Sequence, residues 1–432
     1  VKRLLITTWG DYSSWSKASY VFNSKEKESV STLPILFDEL KPDKVVIIIP
    51  ESVIYEKFSS YDDLIQKVKE GCSNFISEKL GISGEITIIV SPIVGNFIIK
   101  KNGKSLFYLQ IDRDTKDFYN FILYNISKIL SNILADLKDK SEVYLDISHG
   151  INFLPTLTYQ VLIELLSLIA YTKSISFYVY NSEPYSRDIP ELKLHINEIE
   201  RREKMEPYLS SNPLGKSGNC RLLKVRDKDE NLSKIISEIS TIRIYNEQNA
   251  FISSIVNGLP LVFYTFYPNH EEISNKLSCV VDKWKETHDL ITNGQKFMVK
   301  SRLSFTEDFK IFVKIWFASI IFGLQRNAEA ELKKIKEFIN FVKHDGLKYN
   351  LLSRTLGMDL EQIKDKCGYE WKKLGELITK TVGDFDPQNF LAHAGLEYNV
   401  TEARKEDYKI KLRYDMNYIK NIIYACIEGL FR

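Results

Sequence analysis

Five short runs rich in β-branched residues punctuate the first 181 positions: Arg3–Thr8, Val45–Pro50, Ile86–Val90, Glu142–Ile147 and Ser174–Tyr180. Between them lie longer segments, such as Tyr61–Leu80 and Lys116–Leu137, whose apolar residues recur every three to four positions. A strand that is apolar without alternation must be covered on both faces, and helices between strands supply that cover. The pattern predicts a parallel sheet sandwiched by helices. One interruption is Phe97–Asp112, where Lys101-Asn102-Gly103-Lys104 separates two apolar runs. Asn-Gly tolerates positive φ at both turn positions, so a hairpin inserted beside the sheet is expected there.

After Tyr180 the text changes. Residues 182–232 hold a proline-containing loop, a charged run from Glu198 to Glu206 and a Gly/Ser/Asn loop, which read as a domain end and a tether. Helical spacing resumes at Leu232, Ile235, Ile236 and Ile239 and leads into the aromatic LVFYTFYPNH. From about Ser301 the long segments Phe309–Leu324, Ala328–Val342, Leu360–Val382 and Tyr408–Phe431 are all helical in period. The expected fold class is α/β plus all-α. Residues 1–185 form a Rossmann-like domain with a parallel-rich sheet, 186–300 a mostly helical connector and 301–432 an all-helical domain.

Composition excludes several classes. A chain of 432 residues is too long for one ordinary core. With 44% apolar and 27% charged residues it is a globular chain, neither disordered nor membrane-embedded. Its most apolar stretch, Leu157–Ala170, is broken by Gln160 and Glu164, short of the roughly 20 apolar residues a bilayer crossing needs. No membrane partner is expected, and VKRLLITTWG shows no cleavage site, so a cytoplasmic location is expected. The five cysteines form no CxxC or Cys/His spacing, so neither zinc nor a disulfide framework is expected. A net charge of +2 argues against wholesale coating of nucleic acid and leaves room for a local basic cleft.

Two turns stand out. LLITTWGDYSSW is a first strand ending in Trp9-Gly10-Asp11, with Ser13 close behind. In open parallel sheets ligands sit where strands end and backbone N–H groups are free. The spacing is not G-x-G-x-x-G, which disfavours NAD or FAD; an ordinary strand-helix turn is the alternative. YLDISHGINFLP places Asp146, Ser148, His149, Gly150 and Asn152 between a strand and a helix beginning near Asn152, an anion or nucleotide cradle. Asp146 would accept hydrogen bonds from a ribose or from the loop backbone. The plainer reading makes Ser148 a helix cap and His149 a surface residue. SSNPLGKSG is no P-loop, because Ser210 stands where the first glycine belongs and a charged segment precedes it. Near the end, DFDPQNFLAHAGLEY opens a helix at Asp386-Pro387 and puts Asn389 and His393 four apart on one face. His393, flanked by alanines, either packs that helix or handles a proton.

Together these stretches resemble the CRISPR-associated ribonucleases of type III systems that join a CARF domain to a C-terminal HEPN domain. The resemblance rests on Trp9-Gly10-Asp11, on Asp146-Ile-Ser-His-Gly-Ile-Asn152 and on Asn-Phe-Leu-Ala-His-Ala-Gly-Leu-Glu from Asn389. It implies a CARF sensor that binds cyclic oligoadenylate, often the tetramer, across the two-fold axis of a homodimer or higher homo-oligomer. It also implies paired HEPN domains that cleave single-stranded RNA without a catalytic cofactor or metal. Trp9, Gly10, Asp11, Ser13, Asp146, Ser148, His149, Gly150 and Asn152 would hold the activator, and His393, Asn389 and Gln388 would form the catalytic motif.

Gln388 departs from the family pattern, which has arginine there. An arginine neutralises a scissile phosphate, whereas glutamine offers a neutral dipole. Three readings stay open: a weakened nuclease, an engineered inactive form, or one using another basic residue such as Arg404 or Arg354. Two other functions compete: a cyclic-oligoadenylate-binding transcription regulator, and a ring nuclease in which Ser148 or His149 helps degrade the ligand.

Overall fold

A computed structural model describes residues 2–101, 104–134, 140–186, 192–216, 219–342, 363–378 and 383–431. Its first sheet uses β1 (Lys2–Trp9), β2 (Ala18–Phe22), β3 (Lys25–Ser29), β4 (Lys44–Pro50) and β5 (Ile86–Ser91). The hairpin β6 (Gly95–Lys101) and β7 (Lys104–Asp112) stands apart, followed by β8 (Ser141–His149), β9 (Ile175–Ser182) and β10 (Lys193–Arg202). The eight-stranded order is β3-β2-β10-β9-β8-β1-β4-β5, with β9, β8, β1, β4 and β5 mutually parallel. The five strands expected from sequence are these five.

Burial explains why they were legible. Val45–Ile49 of β4 are each at most 1% exposed, so neither face meets water. Val46 and Ile48 pack with α3 (Lys116–Leu134) and α4 (Leu154–Ile169). Val45, Ile47 and Ile49 pack on the other face with α1 (Leu33–Leu40) and α2 (Tyr61–Phe75), which runs on into one π turn, Ile76–Leu80.

The expected tether is in part a strand. β10 pairs antiparallel with β9 and lies parallel to β2 only at Lys193–His195, so Asn197–Arg202 form an edge. Its charges are those that keep an open edge from recruiting another strand. Beyond it come β11 (Leu223–Val225), α5 (Glu230–Ser240), α6 (Tyr245–Asn257), α7 (Pro260–Thr265) and α8 (His270–Glu286). The connector then leaves its expected helical character: β12 (His288–Asn293) and β13 (Lys296–Ser301) join β7 and β6 in a second sheet, with β13 parallel to β7. β14 (Leu303–Phe305) pairs with β11 and leads into α9 (Glu307–Phe322). Helix α9 is buried nearly all round and packs against α3, α4, α6 and α8. One continuous apolar core therefore runs from Leu4 of the sheet to Cys426 near the C-terminus.

The C-terminal region is helical at its centre, as expected, and also carries strands that the helical period did not predict. β15 (Ala330–Glu331) precedes α10 (Leu332–Val342); β16 (Lys372–Lys373) precedes the short α11 (Leu374–Leu377) and α12 (Pro387–Ala392). β17 (Thr401–Glu406) and β18 (Lys409–Tyr414) then form a hairpin before α13 (Ile419–Gly429). The sheet order is β15-β18-β17-β16. Within Leu360–Val382 the described residues 363–378 thus hold two helical residues at 363–364, then a strand and one helical turn, and the start of Tyr408–Phe431 is strand. Asn102-Gly103, Ala135–Leu137, Ser217-Gly218 and Arg354 lie outside the described residues. Among the described residues no helix is long and apolar enough to cross a membrane.

A buried carboxyl stitches α3 to β14. Asp117 accepts hydrogen bonds from Ser304 Oγ at 2.8 Å and from the Phe305 N–H at 2.9 Å. Burial pushes its carboxyl up to about 6, against the pull of those bonds. The unfolded value is near 3.9, so the folded chain binds the extra proton between about pH 4 and 6. Its stabilising contribution is complete below that window and is lost as pH rises through it, by about 3 kcal/mol. Asp117→Asn is expected to remove that term. Urea unfolding of both proteins at the two ends of the window should show their stability difference changing by that amount.

Candidate functional site

Helices after β1 and β4 cover one face of the sheet, and those flanking β8 cover the other. β1 and β8 are neighbours, so their chains part to opposite sides and leave a crevice at their carboxyl ends. Both turns singled out in the sequence open onto it. Glycines let them meet: a Cβ on Gly10 would lie 2.4 Å from Ile151 Cγ2, and one on Gly150 2.3 Å from Pro155 Cγ and 2.5 Å from Thr8 Oγ1. Side chains at those positions would push the turns apart.

Asp146 is fully buried at the floor. One carboxylate oxygen accepts from the Ser148 N–H (3.0 Å) and hydroxyl (2.6 Å), the other from Thr7 Oγ1 (3.1 Å) and Thr32 Oγ1 (2.7 Å). Four donors fill the four lone-pair sites of a carboxylate. Asp146 therefore organises the loop backbone, and a ribose would find no acceptor left on it. Ser148 also accepts the Ser182 N–H at 2.8 Å, so its hydroxyl braces β8 against β9 rather than standing ready as a nucleophile.

The half-buried His149 accepts the Thr32 N–H through Nε2 at 3.2 Å and stacks on Trp15 with centroids 4.3 Å apart. Burial pushes its pKa down, with Asp146 pulling the other way, so the ring is neutral near pH 7. With Nε2 accepting, Nδ1 carries the proton and is a donor. Asp11 and Ser13 are exposed; Asp11 accepts from the Ser13 N–H and hydroxyl and from the Tyr55 hydroxyl at 2.6 Å. Trp9 is wholly buried against Tyr12, Trp15 and Phe75 and supports the turn from beneath. Asn152 is exposed at φ +52°, and α4 begins at Leu154 behind Phe153, with no side-chain cap. In that first turn the Leu154 N–H already donates to Ile151 O at 3.1 Å and Pro155 has none, so the helix offers the crevice its positive dipole end rather than a row of free N–H groups.

Sequence reasoning missed Tyr55, Thr32 and Trp15. Tyr55 had a signal, since it follows β4 at the same end of the sheet. Thr32, which precedes α1, is brought in by folding from 114 positions away.

The second candidate site is on α12. Asp386 caps this helix, accepting from the Gln388 N–H at 2.8 Å and the Asn389 N–H at 3.3 Å, with Pro387 in the first turn. Gln388 and Asn389 are exposed, and His393 is half-buried beside Tyr398, ring centroids 5.1 Å apart. The His393 N–H donates to Asn389 O at 2.9 Å, which keeps the two residues on one face. Ala394 and Gly395 follow at φ +54° and +77°, and the Gly395 N–H returns to Phe390 O at 2.8 Å. That six-to-one bond closes the helix as a Schellman turn. The Tyr414 hydroxyl ties Gly395 O to β18 at 2.8 Å. Arg404, one of the two alternative cations, pairs with Glu329 and Glu406 and lies 4.7 Å from the Trp371 ring centre. Among the described residues no group of three or more His, Cys, Asp and Glu side chains is arranged to hold a metal ion.

A polar crevice at a Rossmann-type strand crossover, sharing one core with a helical region that displays an Asn-x-x-x-His helix, defines a ligand-binding domain fused to an effector domain. Family profiles agree: that of the CRISPR system endoribonuclease Csx1 CARF domain matches residues 4–184, and that of its HEPN domain residues 269–416. The CRISPR system endoribonuclease Csx1 of Methanocaldococcus jannaschii is 32% identical over 453 residues, covering 97% of this chain and 92% of that one. The chain belongs to the Csx1 family of CRISPR system endoribonucleases. A solved structure, Enterococcus italicus Csm6 bound to cyclic hexa-2'-fluoro-hexa-dAMP, aligns at 12% identity with a TM-score of 0.23. It covers 66% of this chain, the chain spans 49% of it, and so distant a superposition carries no argument.

Proposed function

We propose that the protein is a single-stranded RNA endoribonuclease switched on by a cyclic oligoadenylate, the tetramer by preference, lodged between the β1 and β8 turns. The observation that carries this reading is the backbone-locked presentation of Asn389 and His393 on one face of α12 in a chain of the Csx1 family. In the crevice, the Nδ1–H of His149 donates to a ligand oxygen, and the positive dipole end of α4 attracts the phosphates. Asp11, Ser13 and Asn152 line its exposed rim, and Asp146 and Ser148 keep the turns in shape.

On α12 the reaction is intramolecular. The RNA 2′-oxygen forms a bond to the adjacent phosphorus as the bond from phosphorus to the 5′-oxygen breaks. The 2′-hydroxyl proton passes to a base, and the departing 5′-oxygen takes one up. His393 exchanges one of these protons, and Asn389 orients the ring or the phosphate. The attacking 2′-hydroxyl confines the reaction to RNA, and no metal takes part. One such imidazole per chain calls for a homodimer that pools two across a two-fold axis.

Gln388 offers the phosphate a neutral dipole where an arginine would offer a cation. A lost transition-state donor typically costs about 10²–10³ in kcat, so Gln388→Arg is expected to raise ligand-stimulated cleavage by about that factor. The assay is cleavage of end-labelled RNA with and without cyclic tetra-adenylate, in EDTA. Absence of ligand-stimulated cleavage by both proteins would overturn the proposal.

A further inference from the structure

Away from α12, a cavity of about 530 Å³ opens between α10 and the β17–β18 hairpin. Lys333, Lys336, Lys364 and Lys405 line it with Glu337 as the one acidic side chain, and Leu332 and Ile410 form its apolar floor. Lys333 stands 3.9 Å from Glu337 as an exposed i,i+4 pair, so four lysines face a single acidic side chain in the lining. The cavity is thus a local excess of positive charge on a chain whose net charge is only +2.

Its rim carries an aromatic ring in an unusual setting. Tyr408 is 95% exposed and sits at the hairpin tip, where Asp407 and Tyr408 have φ +44° and +63°. A two-residue turn with both residues left-handed favours Asn-Gly, and a bulky side chain there is strained. The ring makes no core contact to offset that cost and is left presented to solvent. Lysines around an apolar floor with a projecting ring match a sugar-phosphate backbone carrying an unstacked base. The cavity also communicates with α12 through one strand. Ile410 lines it, and Tyr414, four residues on in β18 and about 13 Å away at strand rise, bonds to Gly395 beside His393.

We infer that the α10/β17–β18 cavity is a docking subsite for single-stranded RNA, with Tyr408 stacking a base and the lysines holding backbone phosphates a few nucleotides from the bond cut at α12. It rests on the ribonuclease reading and adds a place where substrate is gripped.

The test titrates the full chain into fluorescein-labelled single-stranded RNA of roughly 20 nucleotides, followed by anisotropy at several salt concentrations. Lys333→Gln with Lys405→Gln should flatten the slope of log affinity against log salt by about 1.4, two phosphate contacts at ~0.7 each. Tyr408→Gly should weaken binding about tenfold, without lowering the melting temperature, because glycine suits the turn. An unchanged slope together with wild-type affinity in Tyr408→Gly would overturn the subsite; if the wild-type chain still cleaves RNA, the ribonuclease reading survives. Failure of the wild-type chain to bind or cleave RNA would remove both. Tighter binding of duplex DNA than of the RNA would also overturn the subsite.

Discussion

Replacing His393 with alanine is expected to lower ligand-stimulated RNA cleavage by about 10²–10⁴-fold, the usual range for a positioned acid–base group. The same substitution should lower the melting temperature only modestly, by what the ring's packing beside Tyr398 contributes. Its neighbourhood explains why the two effects separate. The backbone at this position is held by Asn389 O, by the left-handed Ala394-Gly395 pair and by the Tyr414 hydroxyl on Gly395. None of those bonds involves the imidazole. Phe390, fully buried between Phe385 and Tyr414, anchors the helix from its other side. Cleavage assays beside thermal melts of the two proteins check the expectation. Wild-type turnover in His393→Ala would show that this ring only packs.

A second large effect is expected far from α12. Arg113 and Glu51 form an ion pair at 3.0 Å with side chains 1% and 0% exposed. Glu51 also accepts the Tyr61 hydroxyl at 2.8 Å and the Ile93 N–H at 2.9 Å. Burial works against the guanidinium charge, but Glu51 and Tyr61 outweigh it, so Arg113 stays protonated. Arg113→Met would strand the carboxylate in the interior, which typically costs 3–5 kcal/mol; here about 4 kcal/mol is expected in urea unfolding. Replacing both partners, Arg113→Met with Glu51→Leu, should recover most of it, since an apolar pair of similar volume carries no buried charge. A double variant as unstable as the single one would assign the loss to packing around Trp284, whose ring centre lies 5.4 Å from the guanidinium. The location gives this pair a second interest. Glu51 and Tyr61 bracket the loop that carries Tyr55 to Asp11 at the crevice, and Tyr61 stacks on His288 of β12 at 3.9 Å.

β1 and β4 were the most readable parallel strands because both are buried on both faces, so their residues are apolar without alternation. β2, β3 and β10 were not readable. Lys25-Glu-Lys-Glu-Ser29 and Asn197–Arg202 lie at or near open edges, where charge is favoured and resembles loop text. The β17–β18 hairpin was hidden for a sharper reason. Its turn residues are Asp407 and Tyr408 rather than Asn-Gly, and its strands are rich in Lys, Arg and Glu, which are good helix formers.

For the candidate sites, location was legible and division of labour was not. A polar turn after a sheet strand marks a crevice from sequence alone. That Asp146 spends its acceptors on Thr7, Thr32 and Ser148 depends on residues distant in sequence, so it appears only in three dimensions. The α12 motif was the reverse case, because Asp386, Pro387, Asn389 and His393 fall within one short segment and the helix repeat places them.

Helix α9 bears on how such proteins could exchange parts. Because its apolar surface serves the sheet's helices and the C-terminal helices at once, a chimera that takes a new sensor while keeping the old α9 inherits a mismatched seam. Swapping recognition modules between relatives would have to move this helix, or its complementary contacts on α3 and α4, together with the sheet.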